Sequence, residues 1–249
     1  MLLMPLDPLH FANMKLFPQL DLITLSEAEV YAWVIPLSIG VILYSLYRLH
    51  LQNKKRTEAM RAIAESLEME FVAEKCDPST LGLDDIDLFE IGLYRKVFNL
   101  MKGTFGDTDA FIFDYHYDRG GKNSTTYSQT VIAHKISSKD GFQLPKFTCK
   151  PERFYHRFAD VFGLKDIDFE QYPEFSKAYR LIGEDADSVR KIFNETVIRQ
   201  LEAESKQGWN VGAAGEWLVI HKHNEIVKPN DCPQFLLDCT TLLNAMTLT

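Results

Sequence analysis

From Val30 to Tyr47 the chain reads VYAWVIPLSIGVILYSLY, a run without a charge, whereas the remaining hydrophobic patterns are those of a water-soluble body. As a helix, these 18 or so residues rise about 27 Å, close to the thickness of a bilayer's hydrocarbon core. A helix is also the form such a segment must take, because lipid offers no partner for an unpaired backbone N–H or C=O. Pro36 and Gly40 are compatible with a span, and Pro36 predicts a kink near its N-terminal end. Tyr31, Trp33, Tyr44 and Tyr47 stand near its two ends, where amphipathic rings suit the membrane interfaces. A cleaved signal sequence fits less well, since acidic residues precede the run and Tyr47-Arg48-Leu49-His50 follows it. Ser26 and Glu29 form a capping-box pattern, so the helix is predicted to begin before the apolar run.

Helical periodicity continues through Leu49, Met60, Ile63, Ala64 and Leu67, which predicts a helical stalk over 48–70. Phe71-Val72-Ala73 reads as extended, Cys76-Asp77-Pro78-Ser79 breaks the run, and 81–98 reads as a short helix with Leu88, Phe89 and Ile91 inward. From Asn99 the period changes to two. Asn99–Phe105, Ala110–Asp118 and Tyr127–Ile136 form an antiparallel meander, and Phe142–Thr148 is a candidate fourth strand. Alternation in the middle strand sets Phe111, Phe113, Tyr115 and Tyr117 on one face and Ile112, Asp114, His116 and Asp118 on the other. Helices then return. Pro151 is placed to open a helix over 151–162, with Phe154, Phe158 and Phe162 four apart and Gly163 at its end. Tyr179–Ile182 reads as a strand, Asp185 as the N-cap of a helix over 186–206, Trp209–Val211 and Trp217–His223 as a hairpin, and the segment after Asp231 as a last helix.

Charge assigns the span a direction. Arg48, His50, Lys54, Lys55, Arg56 and Arg61 follow it, while Lys15 alone, against Asp7, Asp21, Glu27 and Glu29, precedes it, so the C-terminal side is expected in the cytoplasm. The expected division is an extracytoplasmic tail (1–25), a transmembrane helix (26–47), a helical stalk (48–70) and a cytosolic α+β domain (71–249). The formal charge of -8 argues against a general nucleic-acid binder, which needs a surplus of Lys and Arg on one face. Cys76, Cys149, Cys232 and Cys239 have no metal-ligand or redox spacing and read as free thiols of a reducing compartment.

The chemistry on offer is sparse. Asp114, His116 and Asp118 share a strand face and His134 lies on a neighbouring strand, residue types that run acid–base chemistry or bind a metal when they converge. The solvent face of a sheet has the same composition. His221 and His223, flanked by Lys222 and Asn224, read as an exposed strand end. Gly120-Gly121-Lys122-Asn123-Ser124-Thr125 lacks the order of a phosphate loop and joins two strands, and Cys149 with His156 lacks a third group. No cofactor or metal motif is present in the sequence.

Leu144-Pro145-x-Phe147, Lys150-Pro151-Glu152, Ile167-Asp168-Phe169, Pro173-Glu174-Phe175-Ser176, Tyr179, Gly183-Glu184-Asp185, Val189-Arg190 and Phe193 carry a resemblance. The stretch from about residue 90 to 225, with PEFSxxY at its centre, resembles a family of uncharacterised bacterial proteins having one N-terminal span and a soluble domain. The resemblance implies an inner-membrane setting and carries no activity, cofactor or catalytic residue. The expected protein is therefore a tethered α+β module, an antiparallel sheet with helices on one face, that binds a partner or ligand as a scaffold. The alternatives are a membrane-tethered hydrolase using Asp114, His116, Asp118 and His134, and an accessory subunit whose Trp33 and Tyr44 pack on other spans.

Overall fold

The structure, a computed structural model, describes residues 27–105, 108–121, 124–136, 143–152 and 166–247. The tail, the Ser26 cap and the phenylalanines at 154, 158 and 162 lie outside them. The chain divides into two compact units, one ending at Gln52 and the other running from Asn53 onward.

A single helix, α1 (Glu27–Ser66), includes the apolar run and the expected stalk as far as Ser66, after which a turn leads to Glu70 at the start of the first strand; Pro36 lies inside it. In the first unit its large apolar side chains from Tyr31 to Leu49 are exposed, from Val34 at 48% to Trp33 at 76%, so this part of α1 is no buried core helix. It is long and apolar enough to cross a membrane.

The second unit is an α+β domain on an eight-stranded antiparallel sheet of order β1-β2-β3-β4-β8-β7-β5-β6. Its strands are β1 (Glu70–Val72), β2 (Leu93–Phe105), β3 (Thr108–Arg119), β4 (Thr125–Lys135), β5 (Leu144–Pro151), β6 (Tyr179–Gly183), β7 (Trp209–Gly215) and β8 (Trp217–Lys222). The expected meander is β2-β3-β4. Between β1 and β2 a 3-10 turn over Pro78–Leu81 is capped by the Asp77 side chain, and the only α-helical segment is the single turn α2 (Asp87–Glu90). Of the helix expected over 81–98 only that turn is formed, the rest being turns and, from Leu93, strand, and Leu88 and Phe89 are buried as predicted.

Both faces of the sheet are covered, which extends the one-sided packing expected above. One face bears Met101, Ile112, Ile132, Leu218 and Ile220 under Met60 and Ala64 of α1 and under α3 (Pro173–Ala178), α4 (Ala186–Ile192), α5 (Glu195–Ala203) and α6 (Cys232–Thr247). The other bears Phe113, Tyr115, Tyr117 and Val219 beneath Leu83, Ile86, Leu88 and Phe89. Each large side chain so buried contributes roughly 1.5–3 kcal/mol relative to exposure, which explains why a polar-looking loop segment is held against the sheet.

Two sequence expectations are corrected. Pro151 ends β5 instead of opening a helix, and there its strand is bonded to β6 at Tyr179 while the pairing with β7 has already stopped at Cys149, a position where a missing N–H costs no ladder bond on the β7 side. The helix expected over 186–206 is two helices. Asp185 caps α4, accepting from the amides of Asp187 and Ser188, but Asn194 interrupts the run and caps α5 by accepting from the Val197 amide at 3.0 Å.

Candidate functional site

The face of β3 that carries Asp114, His116 and Asp118 is the one α1 lies across. Asp114 is 2% exposed and opposite Thr130 of β4. Arg56 of α1 meets its carboxylate as a fork, with Nε 2.8 Å from Oδ2 and Nη2 2.7 Å from Oδ1. The Asn99 amide donates to Oδ2 at 2.8 Å and the Thr130 hydroxyl to Oδ1 at 3.0 Å. Arg56 Nη1 also donates to the Val227 carbonyl at 2.8 Å, and the Thr57 hydroxyl donates to Asn99 Oδ1 at 2.8 Å. A carboxylate has about four lone-pair directions, and all are occupied here by protein donors. Asp114 is a structural clamp on α1.

The other candidates do not join it. His116 packs its ring on Phe98 at 4.4 Å, and burial pushes its pKa down against the opposing pull of Asp114. Asp118 accepts from the Thr126 hydroxyl at 2.6 Å. His134 lies opposite Ala110 and Leu218, four strand residues from Thr130 and so roughly 13 Å along the strand from the Asp114 cluster. It is fully buried, its pKa is pushed down to about 4 by that burial, and neither ring nitrogen has a hydrogen-bond partner among the described residues. The four share no pocket. Among the described residues no three His, Cys, Asp or Glu side chains are grouped as a metal ion would require.

A second polar cluster, unread in the sequence, lies on the opposite face where β5, β7 and β8 meet α2. Thr148, Lys150, Asn210 and His221 line a small, partly open cavity of about 10 Å³ together with Ile86, Leu88 and Val219. That volume admits one water and nothing larger. Thr148 donates to Asp87, which Lys146 approaches at 3.4 Å while also pairing with Glu90 at 3.0 Å. His221, expected at an exposed strand end, is buried, and its pKa is pushed to about 3 by burial, by His223 and by Lys150. The signal for this lay in the alternation of β8, where Trp217, Val219 and His221 share a face. Cys149 is fully buried and its thiol is pushed up by that burial, the opposite of a nucleophile's environment; His156 lies outside the described residues.

No family model and no curated protein matches the chain. Among solved structures, the crystal structure of the mycobacterial trehalose monomycolate transport factor A, TtfA, matches it with a TM-score of 0.53 at 9% identity. The match covers 76% of this chain and 95% of that one. The chain resembles TtfA in fold. At that identity the likeness is one of topology, and TtfA's side-chain chemistry does not transfer.

Proposed function

We propose that this protein is a membrane-anchored binding or scaffold module that acts through a partner instead of turning over a substrate. The observation that carries the reading is the exposure of the apolar stretch of α1 from Tyr31 to Tyr47 within its own unit, a surface that lipid or other membrane spans would satisfy. Two further features support it. The acidic residue best placed to be catalytic is consumed in holding α1, and the fold resembles that of the mycobacterial transport factor TtfA. We assign the setting to the bacterial inner membrane with the domain in the cytoplasm, and the role to an accessory factor of a membrane transport or assembly machine. With Arg56 turned inward, Arg48, Lys54, Lys55 and Arg61 still outnumber Lys15 across the span, so the positive-inside bias persists.

The test is fractionation followed by capture. The full-length chain is expected to pellet with membranes in the absence of detergent, and its domain to resist protease added to intact spheroplasts. A photo-crosslinker at Trp33 or Tyr44 is expected to trap a membrane protein. A chain that stays in the supernatant, or a domain digested from outside, would overturn the anchor or its orientation respectively.

A further inference from the structure

Outside α1, three large hydrophobic side chains among the described residues are exposed, and two are adjacent: Leu93 at 58% and Tyr94 at 80%. They open β2, where the pairing with β3 slips between Leu93 and Lys96. The backbone there is built at a cost. Tyr94 sits at φ +52°, a left-handed conformation unfavourable for any side chain with a Cβ. Gly92, at φ +83°, passes so close to β3 that a Cβ would stand 2.6 Å from the Tyr117 ring and 2.8 Å from the Asp118 carbonyl. The bulge turns an aliphatic and an aromatic side chain into solvent, where neither contributes to the core.

The position of this tip within its unit follows from the course of α1. Ala64 accepts from the Met69 amide at 2.8 Å, Met69 lies against Gly103, and Gly103 is opposite Ala110. Eight residues earlier, Arg56 meets Asp114. About 12 Å of helix thus tracks about 13 Å of β3, so Asn53, the first residue of the unit, lies on the side of Arg56 facing the end where β3 turns into β4 and where Leu93 pairs with Asp118, roughly 9 Å short of it along the strand. The residues from Arg48 to Asn53 reach at most about 20 Å in any conformation, so a bilayer holding Tyr31–Tyr47 is tethered within about 30 Å of this end. Arg95, Lys96 and Arg119 flank the apolar pair, Arg95 donating to the Phe89 carbonyl and Lys96 lying 3.9 Å from Asp77, and on α1 just before Arg56 Lys54, 4.0 Å from Glu58, and Lys55 are exposed; at such exposure these surface pairs leave the ammonium groups open to anionic headgroups. The Asp118 carboxylate is engaged by Thr126.

We infer that Leu93 and Tyr94 form a second membrane contact, dipping into the interface of an anionic bilayer while the neighbouring cations face its headgroups; this rests on the anchor reading above. Tyr suits that depth because its ring is apolar and its hydroxyl stays wet. The test places a nitroxide at Leu93→Cys or Tyr94→Cys in the full-length chain with Cys76→Ser. The chain is held in phosphatidylethanolamine–phosphatidylglycerol nanodiscs, and collision with oxygen is compared with collision with a water-soluble nickel chelate. Leu43→Cys in the apolar stretch and Leu237→Cys on the exposed side of α6 are the references. The expected oxygen-to-nickel ratio at 93 and 94 is several-fold above that at 237. A ratio equal to that at 237, with 43 lipid-exposed, overturns the docking and leaves the anchor intact. A water-exposed 43 overturns the anchor and the docking with it. Shielding of 93 and 94 from both quenchers identifies a protein occupant and overturns lipid as the partner.

Discussion

Replacing Arg56 by methionine tests the clamp on α1 at its centre. The substitution keeps the apolar stem and the helix propensity but removes the guanidinium, leaving Asp114 buried with Asn99 and Thr130 as its remaining donors. Thr130 is itself bound up, since its Oγ1 also accepts the Val227 amide at 2.9 Å. Removing one partner of a buried ion pair costs about 3–5 kcal/mol, because the surviving charge stays desolvated. For a domain of this size each kcal/mol moves the melting temperature by about 2–4 °C, so Arg56→Met is expected to lower it by roughly 6–20 °C. Asp114→Asn is expected to cost less, because the orphaned guanidinium retains the Val227 carbonyl and its side chain is 20% exposed, so water reaches it. The double replacement Arg56→Met with Asp114→Leu removes both charges and is expected to recover much of the loss, since an apolar pair of similar volume often replaces an ion pair without penalty. The measurement is urea or thermal unfolding of the full chain in nanodiscs, followed by the fluorescence of the buried Trp209 and Trp217. With Asp114→Leu measured alone to complete the cycle, strict additivity of the Arg56→Met and Asp114→Leu losses in the double variant, or a loss from Arg56→Met below about 0.5 kcal/mol, would refute the clamp, because contacting partners must couple.

Three further outcomes are expected. His134 has a folded-state pKa near 4 against an ordinary 6.5, so the unfolded chain takes up a proton that the folded one refuses; stability is whole above pH 6.5 and is lost as the pH falls toward 4. At pH 5 this group's contribution to the loss is about 2 kcal/mol, and unfolding of His134→Leu across pH 5–7 should show a correspondingly shallower decline. In the native chain, maleimide is expected to label Cys76 first, since Cys149, Cys232 and Cys239 are buried and their thiols pushed up; mass spectrometry after brief labelling checks this. Asn194→Ala should cost about 1 kcal/mol through loss of the α5 cap, whereas Asn194→Asp or Asn194→Ser should cost little, read from the same unfolding curves.

The parts of the fold that follow a regular period were legible in the residues, and the departures have local causes. β3 alternates without interruption from Phe111 to Asp118, and the two faces predicted from that alternation are the two covered faces of the sheet. β2 begins six residues before the first predicted strand residue because Leu93 to Phe98 carries bulges, with Tyr94 and Asn99 both at positive φ, and a bulge destroys the alternation that marks a strand. The periodicity predicts one helix where two exist because Asn194 fits a helix's polar face as well as it fits an N-cap, and the pattern does not separate them.

The deepest ambiguity concerned Arg56. In the sequence it stands with Lys54 and Lys55 as one of a row of cations beside an apolar run, while Asp114 stands with His116 and Asp118 on one face of a strand. Nothing in either local pattern joins residues that lie so far apart in the chain, yet each explains the other: a buried carboxylate demands a partner, and the forked cation of Arg, unlike the single ammonium of its lysine neighbours, can satisfy both oxygens at once. The same pairing removes one charge from the flank of the candidate span and occupies the one acid placed like a general base, which instead holds α1 onto the sheet.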